Sequence, residues 1–427
     1  NVTRTGSQYF DFWSSPITTS PISNFGGYVY EFNPQLGTAD PADDEFDPGW
    51  VTPGAATIPG KGYAVLNANS QSETFSGTVN NGSVVYNGEF FNNADPTLGG
   101  VPYNLIGNPY PSGVDAAQFV AHNSVKLAEG TIWYWDDPGT FYNASADYAT
   151  WNSMGGTFGG GGNTPTGIIG TAQGFKVRTA SAGALQFTNA MRVAGNTNQL
   201  FRQGETKRLW LSASSAENHI NQLLVGFAID GTDGADWAYD ATKLNPHSEF
   251  SFYSLMEGAP YAIQGYGPLD PQRVVPLGFK SGLNTTVTIS LDDVDNMESD
   301  DIILEDRYLN IFTDLHLGSY SFVSEVESYQ DRFFLRFAPQ TVTGIDAAEN
   351  VTMLANISQG YLQVQTSEEF DGEIRLTDMA GRMVWSNTNQ HLTKGVVTQF
   401  DVSGLTRGVY LVSLADGQKV LSVKVMK

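Results

Sequence analysis

The chain has 427 residues, with 45 acidic against 22 basic side chains and a net charge of −23. A surface that negative repels a phosphate backbone and argues against a nucleic-acid partner. There is no cysteine, which excludes disulfides, thiolate metal sites and a cysteine nucleophile, and no apolar run reaches the roughly 18 residues of a membrane-spanning helix.

The length predicts several domains. Only 16% of residues are charged, 12% are aromatic and 46 are glycine, a balance that favours β structure with many turns. The chain opens Asn1-Val2-Thr3-Arg4, without a starting Met or an apolar signal segment, and reads as the mature or C-terminal part of something longer. The fold class read from these features is all-β: multidomain antiparallel β-sandwiches.

In chain order, the first 200 residues carry an internal echo. Phe12-Trp13-Ser14-Ser15-Pro16 resembles Gly107-Asn108-Pro109-Tyr110-Pro111-Ser112, and Gly60-Lys61-Gly62-Tyr63-Ala64-Val65 resembles Ala172-Gln173-Gly174-Phe175-Lys176-Val177. Two related β units are expected, over residues 1–100 and 101–205. One helix is predicted after Ser112 and Asp115, whose spacing fits a capping box ahead of Ala116, Ala117, Phe119 and Val120. Gly155–Gly162 reads as a flexible loop.

A sandwich domain is expected over 206–340. Val287, Ile289 and Leu291 alternate with polar residues, and so do Phe333, Leu335 and Phe337, the pattern of half-buried strands. Residues 341–350 read as a linker. From Val351 to Lys427 seven short strands arrive at sandwich spacing: Val351–Ala355, Tyr361–Gln365, Glu373–Thr377, Arg382–Trp385, Val397–Val402, Gly408–Leu414 and Val420–Val425. Asp378-Met379-Ala380-Gly381 reads as a tight turn, and Gly408–Val412, apolar on both faces, as a central strand. From Asp346 on, 7 basic and 9 acidic residues give −2, which leaves about −21 on the preceding 345 residues.

Catalytic motifs do not emerge. His122, His219, His247, His316 and His391 stand outside any His-Glu-x-x-His pattern, and there is no Gly-x-Ser-x-Gly elbow or phosphate loop. Asp230, Asp233 and Asp236 lie in a glycine-rich loop that suits Ca²⁺, the one cofactor considered, although the EF-hand glutamate is missing. The acidic run Asp292–Asp301 is a second such candidate, and a solvated turn explains either. Trp133 and Trp135 share one side of a strand; an exposed pair would stack on a sugar ring, and a buried pair would be core.

The tail resembles the C-terminal sorting domain, type A, of proteins exported by the bacterial type IX secretion system. The resemblance is carried by Ile374-Arg375-Leu376-Thr377-Asp378-Met379-Ala380-Gly381-Arg382-Met383-Val384, by Leu405 followed by Gly408-Val409-Tyr410-Leu411-Val412, and by Val423-Lys424-Val425-Met426-Lys427. It implies an immunoglobulin-like sandwich over 351–427 with Asp378, Gly381, Arg382, Gly408, Tyr410, Lys424 and Lys427 as sorting-signal residues. It also implies a secreted or cell-surface location, and as partners the translocon, its outer-membrane cargo receptor and a sortase-like peptidase cutting in the linker. More loosely, Ile132-Trp133-Tyr134-Trp135 and Asp331–Phe337 resemble segments of large Bacteroidota surface proteins. The functional expectation is a non-enzymatic, structural or adhesin-like body with an export tail. The alternatives are an accessory region of a carbohydrate-active or proteolytic enzyme, or a calcium-stabilised glycan-binding module.

Overall fold

A computed structural model describes residues 2–5, 10–36, 49–66, 72–90, 102–137, 147–193, 206–244, 250–338, 353–358, 360–378, 381–416 and 420–427. The expected linker at 341–350 lies outside the described residues. The chain is all-β apart from one α-helix and two short 3₁₀ turns among the described residues. It divides into two compact units. The first holds Asn1–Trp210, Asn221–Ser248 and Met256–Leu269; the second holds Leu211–Ile220, Glu249–Leu255 and Asp270–Lys427.

In the first unit the sequence echo becomes a structural one. Phe10–Trp13 pairs antiparallel with Tyr63–Leu66, and Tyr103–Gly107 pairs antiparallel with Gly174–Arg178. The two halves do not stand apart. Each pair reaches into the other through a bridge, Trp13 with Gln173 and Lys61 with Ile106. Glycine is required where these backbones meet. A Cβ on Gly62 would lie 2.5 Å from the Ile106 carbonyl oxygen, and one on Gly174 would lie 2.9 Å from that of Trp13. The Gly-aromatic motif therefore marks a close approach, with the aromatic that follows (Tyr63 or Phe175) fully buried. Strand Val84–Gly88, from the first half, pairs with Gly183–Phe187 of the second.

The predicted helix forms at Ala116–His122, with Phe119 and Val120 buried. Its N-cap is Asp115, whose carboxylate accepts from the Gln118 N–H at 3.1 Å. Ser112 is not the cap; its hydroxyl accepts from Arg192 Nε at 3.0 Å instead. The expected glycine loop is also corrected. Gly155–Thr157 is a strand, paired with Thr150–Asn152, and Gly156 packs where any Cβ would lie 2.3 Å from the Pro165 carbonyl oxygen. Among the described pairings, Leu224–Phe227 departs from the antiparallel rule and runs parallel to Ile263–Tyr266.

In the second unit Phe250–Ser254 pairs with Leu277–Ser281, and Glu327–Arg336 lies between the strands Val274–Ser281 and Ile303–Asp306. Val287 and Ile289 are buried as the alternation predicts, and so are Phe333 and Leu335. The strand holding Phe333 is covered on its other face too. Arg332 is fully buried there, its Nη2 2.7 Å from Asp306 Oδ2.

All seven tail strands form. Met353–Ser358, Tyr361–Thr366 and Thr398–Asp401 make one sheet; Met383–Leu392, Phe370–Asp378, Val409–Ala415 and Val420–Met426 make the other, in that order. Between them lies a core of their own, including Leu362, Val364, Ile374, Leu376, Val412 and Leu414. Val409–Ala415 takes an inner position as expected, but it is not buried on both faces: Leu411 is 38% exposed.

Candidate functional site

The residues that the resemblance names as a sorting signal lie at the tail's turns and its last strand. At the hairpin the Gly381 N–H donates to the Asp378 carbonyl at 2.9 Å, and Gly381 takes the left-handed φ of 80° that the turn needs. The Asp378 carboxylate then accepts from the Arg382 N–H at 2.9 Å and from its Nε at 2.8 Å. Arg382 is 81% exposed, so the pair adds under about 1 kcal/mol to stability and leaves a positive charge displayed at the surface.

Tyr410 is buried and its hydroxyl donates to the Thr406 carbonyl at 2.6 Å, the corner that fixes strand entry in immunoglobulin-like sandwiches. Gly408 and Lys427 exchange backbone hydrogen bonds of 3.1 and 2.9 Å and close the last hairpin. The Lys427 ammonium donates to the carbonyls of Val402, Ser403 and Leu405 at 2.8, 2.7 and 2.7 Å. Sequence reading named Lys427 but had no signal for these partners, over 20 residues away. Val420–Met426 ends its sheet, with Val425 buried and Ser422 and Lys424 exposed.

In the first unit, the strand Ile132–Asp136 does not offer a stacking platform. Trp133 is fully buried, with Nε1 donating to the Thr242 carbonyl at 3.2 Å. Trp135 is half-buried, its ring 5.2 Å from Tyr148 and 6.4 Å from Phe12. The pair is core. Beside it the Lys176 ammonium lies over the rings of Phe32, Trp50 and Tyr148 at 4.8, 5.5 and 5.0 Å, a cation–π arrangement the sequence did not announce. An open depression of about 280 Å³ beside the exposed Tyr28 is lined by tyrosine, aliphatic and small residues, with no acid or imidazole.

Asp230, Asp233 and Asp236 do not converge. Asp230 accepts from the Tyr239 hydroxyl at 2.8 Å, while Asp236 accepts from the N–H and hydroxyl of Thr232 at 2.6 and 3.1 Å. The oxygens of Asp230 and Asp236 fold the loop. In the second acidic run Asp292 accepts from the Ser212 hydroxyl at 2.7 Å. Among the described residues no group of three or more acidic or histidine side chains is placed to hold a metal.

Among the described residues, sequence reading missed three buried carboxylates that burial pushes upward in pKa. Burial pushes Glu129 above the usual carboxylate range, against the opposing pull of Thr242 and Arg178, whose Nη1 is 3.3 Å away. Asp240, pushed up to about 6 by burial, accepts the N–H groups of Gly265 and Asp236 at 2.7 and 2.6 Å. Asp136, raised by burial, accepts the N–H groups of Gly159, Gly161 and Asn163 and the Asn163 Nδ2. Each oxygen set includes at least one donor more than 20 residues away, a partner that local spacing does not reveal.

No curated protein and no solved structure matches the chain. Residues 356–427 match the secretion system C-terminal sorting domain, in agreement with the resemblance read from the tail. The tail is a type IX sorting domain, and it marks the chain for export to the cell surface or the medium. Residues 1–337 match the domain of unknown function DUF8693, and the chain belongs to that family.

Proposed function

We propose that residues 1–337 form a structural or adhesin-like body delivered outside a Bacteroidota cell, and that the tail is the part read by the translocon and its outer-membrane cargo receptor before a sortase-like peptidase removes it. The observation that carries this reading is the tail's separate apolar core, closed by the Gly408–Lys427 pairing. A module with its own core keeps its shape whatever cargo precedes it. The exposed charges of Arg382 and Lys424 and the edge strand Val420–Met426 are the features a receptor would contact.

A non-catalytic body is supported by how its perturbed carboxylates are used. Glu129, Asp136 and Asp240 each hold internal donors rather than facing a cleft.

Deleting residues 351–427 in the native host tests the proposal. The body is expected to fold and to stay inside the cell. Normal appearance at the surface or in the medium would refute it.

A further inference from the structure

One face of the tail is polar and yet covered. In the pair Met353–Ser358 and Tyr361–Thr366, the residues Met353, Ala355, Ile357, Leu362 and Val364 point into the tail core. By the two-residue period, Asn356, Gln363 and Gln365 point the other way. They are only 4%, 5% and 0% exposed. What covers them lies within the same unit: the strands Thr285–Asp295 and Tyr320–Ser324. Val287, Ile289 and Phe322 of those strands are fully buried, and their alternation turns Thr286, Thr288 and Ser321 to the opposite side.

Gln365 makes the connection. Its Nε2 donates to the Ser321 carbonyl at 2.6 Å and to the Gly395 carbonyl at 2.7 Å. It also lies 3.4 Å from the Tyr320 hydroxyl, which donates to Asp306 of the buried Asp306–Arg332 pair at 2.8 Å. Nearby, Gly395 approaches Ile311 so closely that a Cβ would lie 2.9 Å from its Cδ1. On the body face Thr288 Oγ1 and Ser321 Oγ bond each other at 2.9 Å, but other polar atoms on these faces are not matched. Asn356 Oδ1 and Nδ2, Gln363 Oε1, Gln365 Oε1 and Thr286 Oγ1 are buried with no hydrogen-bond partner among the described residues.

An amide buried without a partner is costly while covered and regains its bonds to water when released. An apolar face behaves in the opposite way and would leave a sticky patch. Leu354 and Val323 are the apolar residues on these faces; the rest of the contact is polar, as on surfaces able to stand in water. We propose that the sorting domain docks on the body through this under-satisfied polar face, with Gln365 as the latch, and undocks as a folded unit. The occupant of the face is the body itself. While docked, the tail keeps Arg382 and Lys424 exposed and its small-sheet face masked. This goes beyond the export reading, and its test in purified protein does not depend on export.

The test uses the full chain with a specific protease site inserted between residues 341 and 350. After cutting, size-exclusion chromatography and a reassociation titration measure the contact, and circular dichroism follows melting of each separated piece. The expected result is separation at micromolar concentration, with both pieces melting cooperatively. Gln365→Ala is expected to weaken reassociation by about tenfold. The double change Asn356→Leu with Gln363→Leu, which removes unpaired amides, is expected to tighten it by about tenfold. A cut chain that stays a 1:1 complex at nanomolar concentration, or a piece that unfolds on release, would show a shared core and overturn the proposal. Weaker binding by the leucine pair, or no effect of Gln365→Ala, would overturn it as well.

Discussion

In the body, the Asp136 carboxylate gathers the N–H groups of Gly159, Gly161 and Asn163 at 3.0, 3.2 and 3.3 Å. In the tail, the Lys427 ammonium gathers the carbonyls of Val402, Ser403 and Leu405 at 2.8, 2.7 and 2.7 Å. Both are single charges that organise a loop, with opposite sign. Burial separates them. Asp136 is 5% exposed, and its desolvation outweighs four hydrogen bonds and lifts its pKa. Lys427 is half-buried at a surface, where carbonyls that lose it can turn to water. The same device is therefore costly to remove in one region and cheap in the other.

Removing the buried anchor should give the largest effect. Asp136→Ala leaves three backbone N–H groups and the Asn163 amide without their acceptor and is expected to cost about 2–4 kcal/mol in denaturant unfolding. Asp136→Asn keeps an acceptor and no longer buries a charge, so about 1 kcal/mol is expected. Equal losses for the two variants would break the argument that unpaired donors, rather than charge, set the cost.

Asp240 extends the comparison to pH. Its folded-state pKa of about 6 lies above its ordinary value of 3.8, chiefly through burial. Below the ordinary value both states hold the proton and the group is neutral in its effect. Between the two values the unfolded chain has released the proton while the folded chain retains it. Stability should therefore fall as pH rises through this window, by about 2–3 kcal/mol, and then level off. Asp240→Asn should flatten that part of the profile in urea titrations run from pH 4 to 7.

The exposed anchor comes next. Lys427→Met is expected to lower tail stability by about 1 kcal/mol, read from tail melting. A loss as large as that of Asp136→Ala would erase the contrast. The smallest effect belongs to His391, which bonds Asp371 at 2.9 Å and lies 3.1 Å from Glu369 on the surface. The Asp371 hydrogen bond and charge raise its pKa above 6.5. Its small stabilisation is full below that value and is lost as pH rises through the raised one. Asp371→Asn should move the His391 titration, followed by NMR, back to lower pH.

Much of the fold was legible because its signals are local. The seven tail strands follow from period-2 alternation between turn residues, and the Gly-aromatic echo from a repeated close approach of backbones at Gly62 and Gly174. The sorting domain was legible as an ordered motif. What was misread depended on distant partners. Gly155–Gly162 is rich in the most flexible residue, yet Gly155–Thr157 pairs as a strand and an Asp136 oxygen fixes Gly159 and Gly161. Arg332 alternates as an outward residue, yet Asp306 and the rings of Phe322 and Phe333 enclose it.

By itself the sequence determined the strand content, the number and order of the tail strands and the export address, because propensity, alternation and turn chemistry act between near neighbours. The tertiary structure alone decided which charges are buried, that Trp133 and Trp135 pack into the core, and that Asn356, Gln363 and Gln365 are covered by the body. Those outcomes depend on what packs over a strand's second face, and that packing is set by segments far away along the chain.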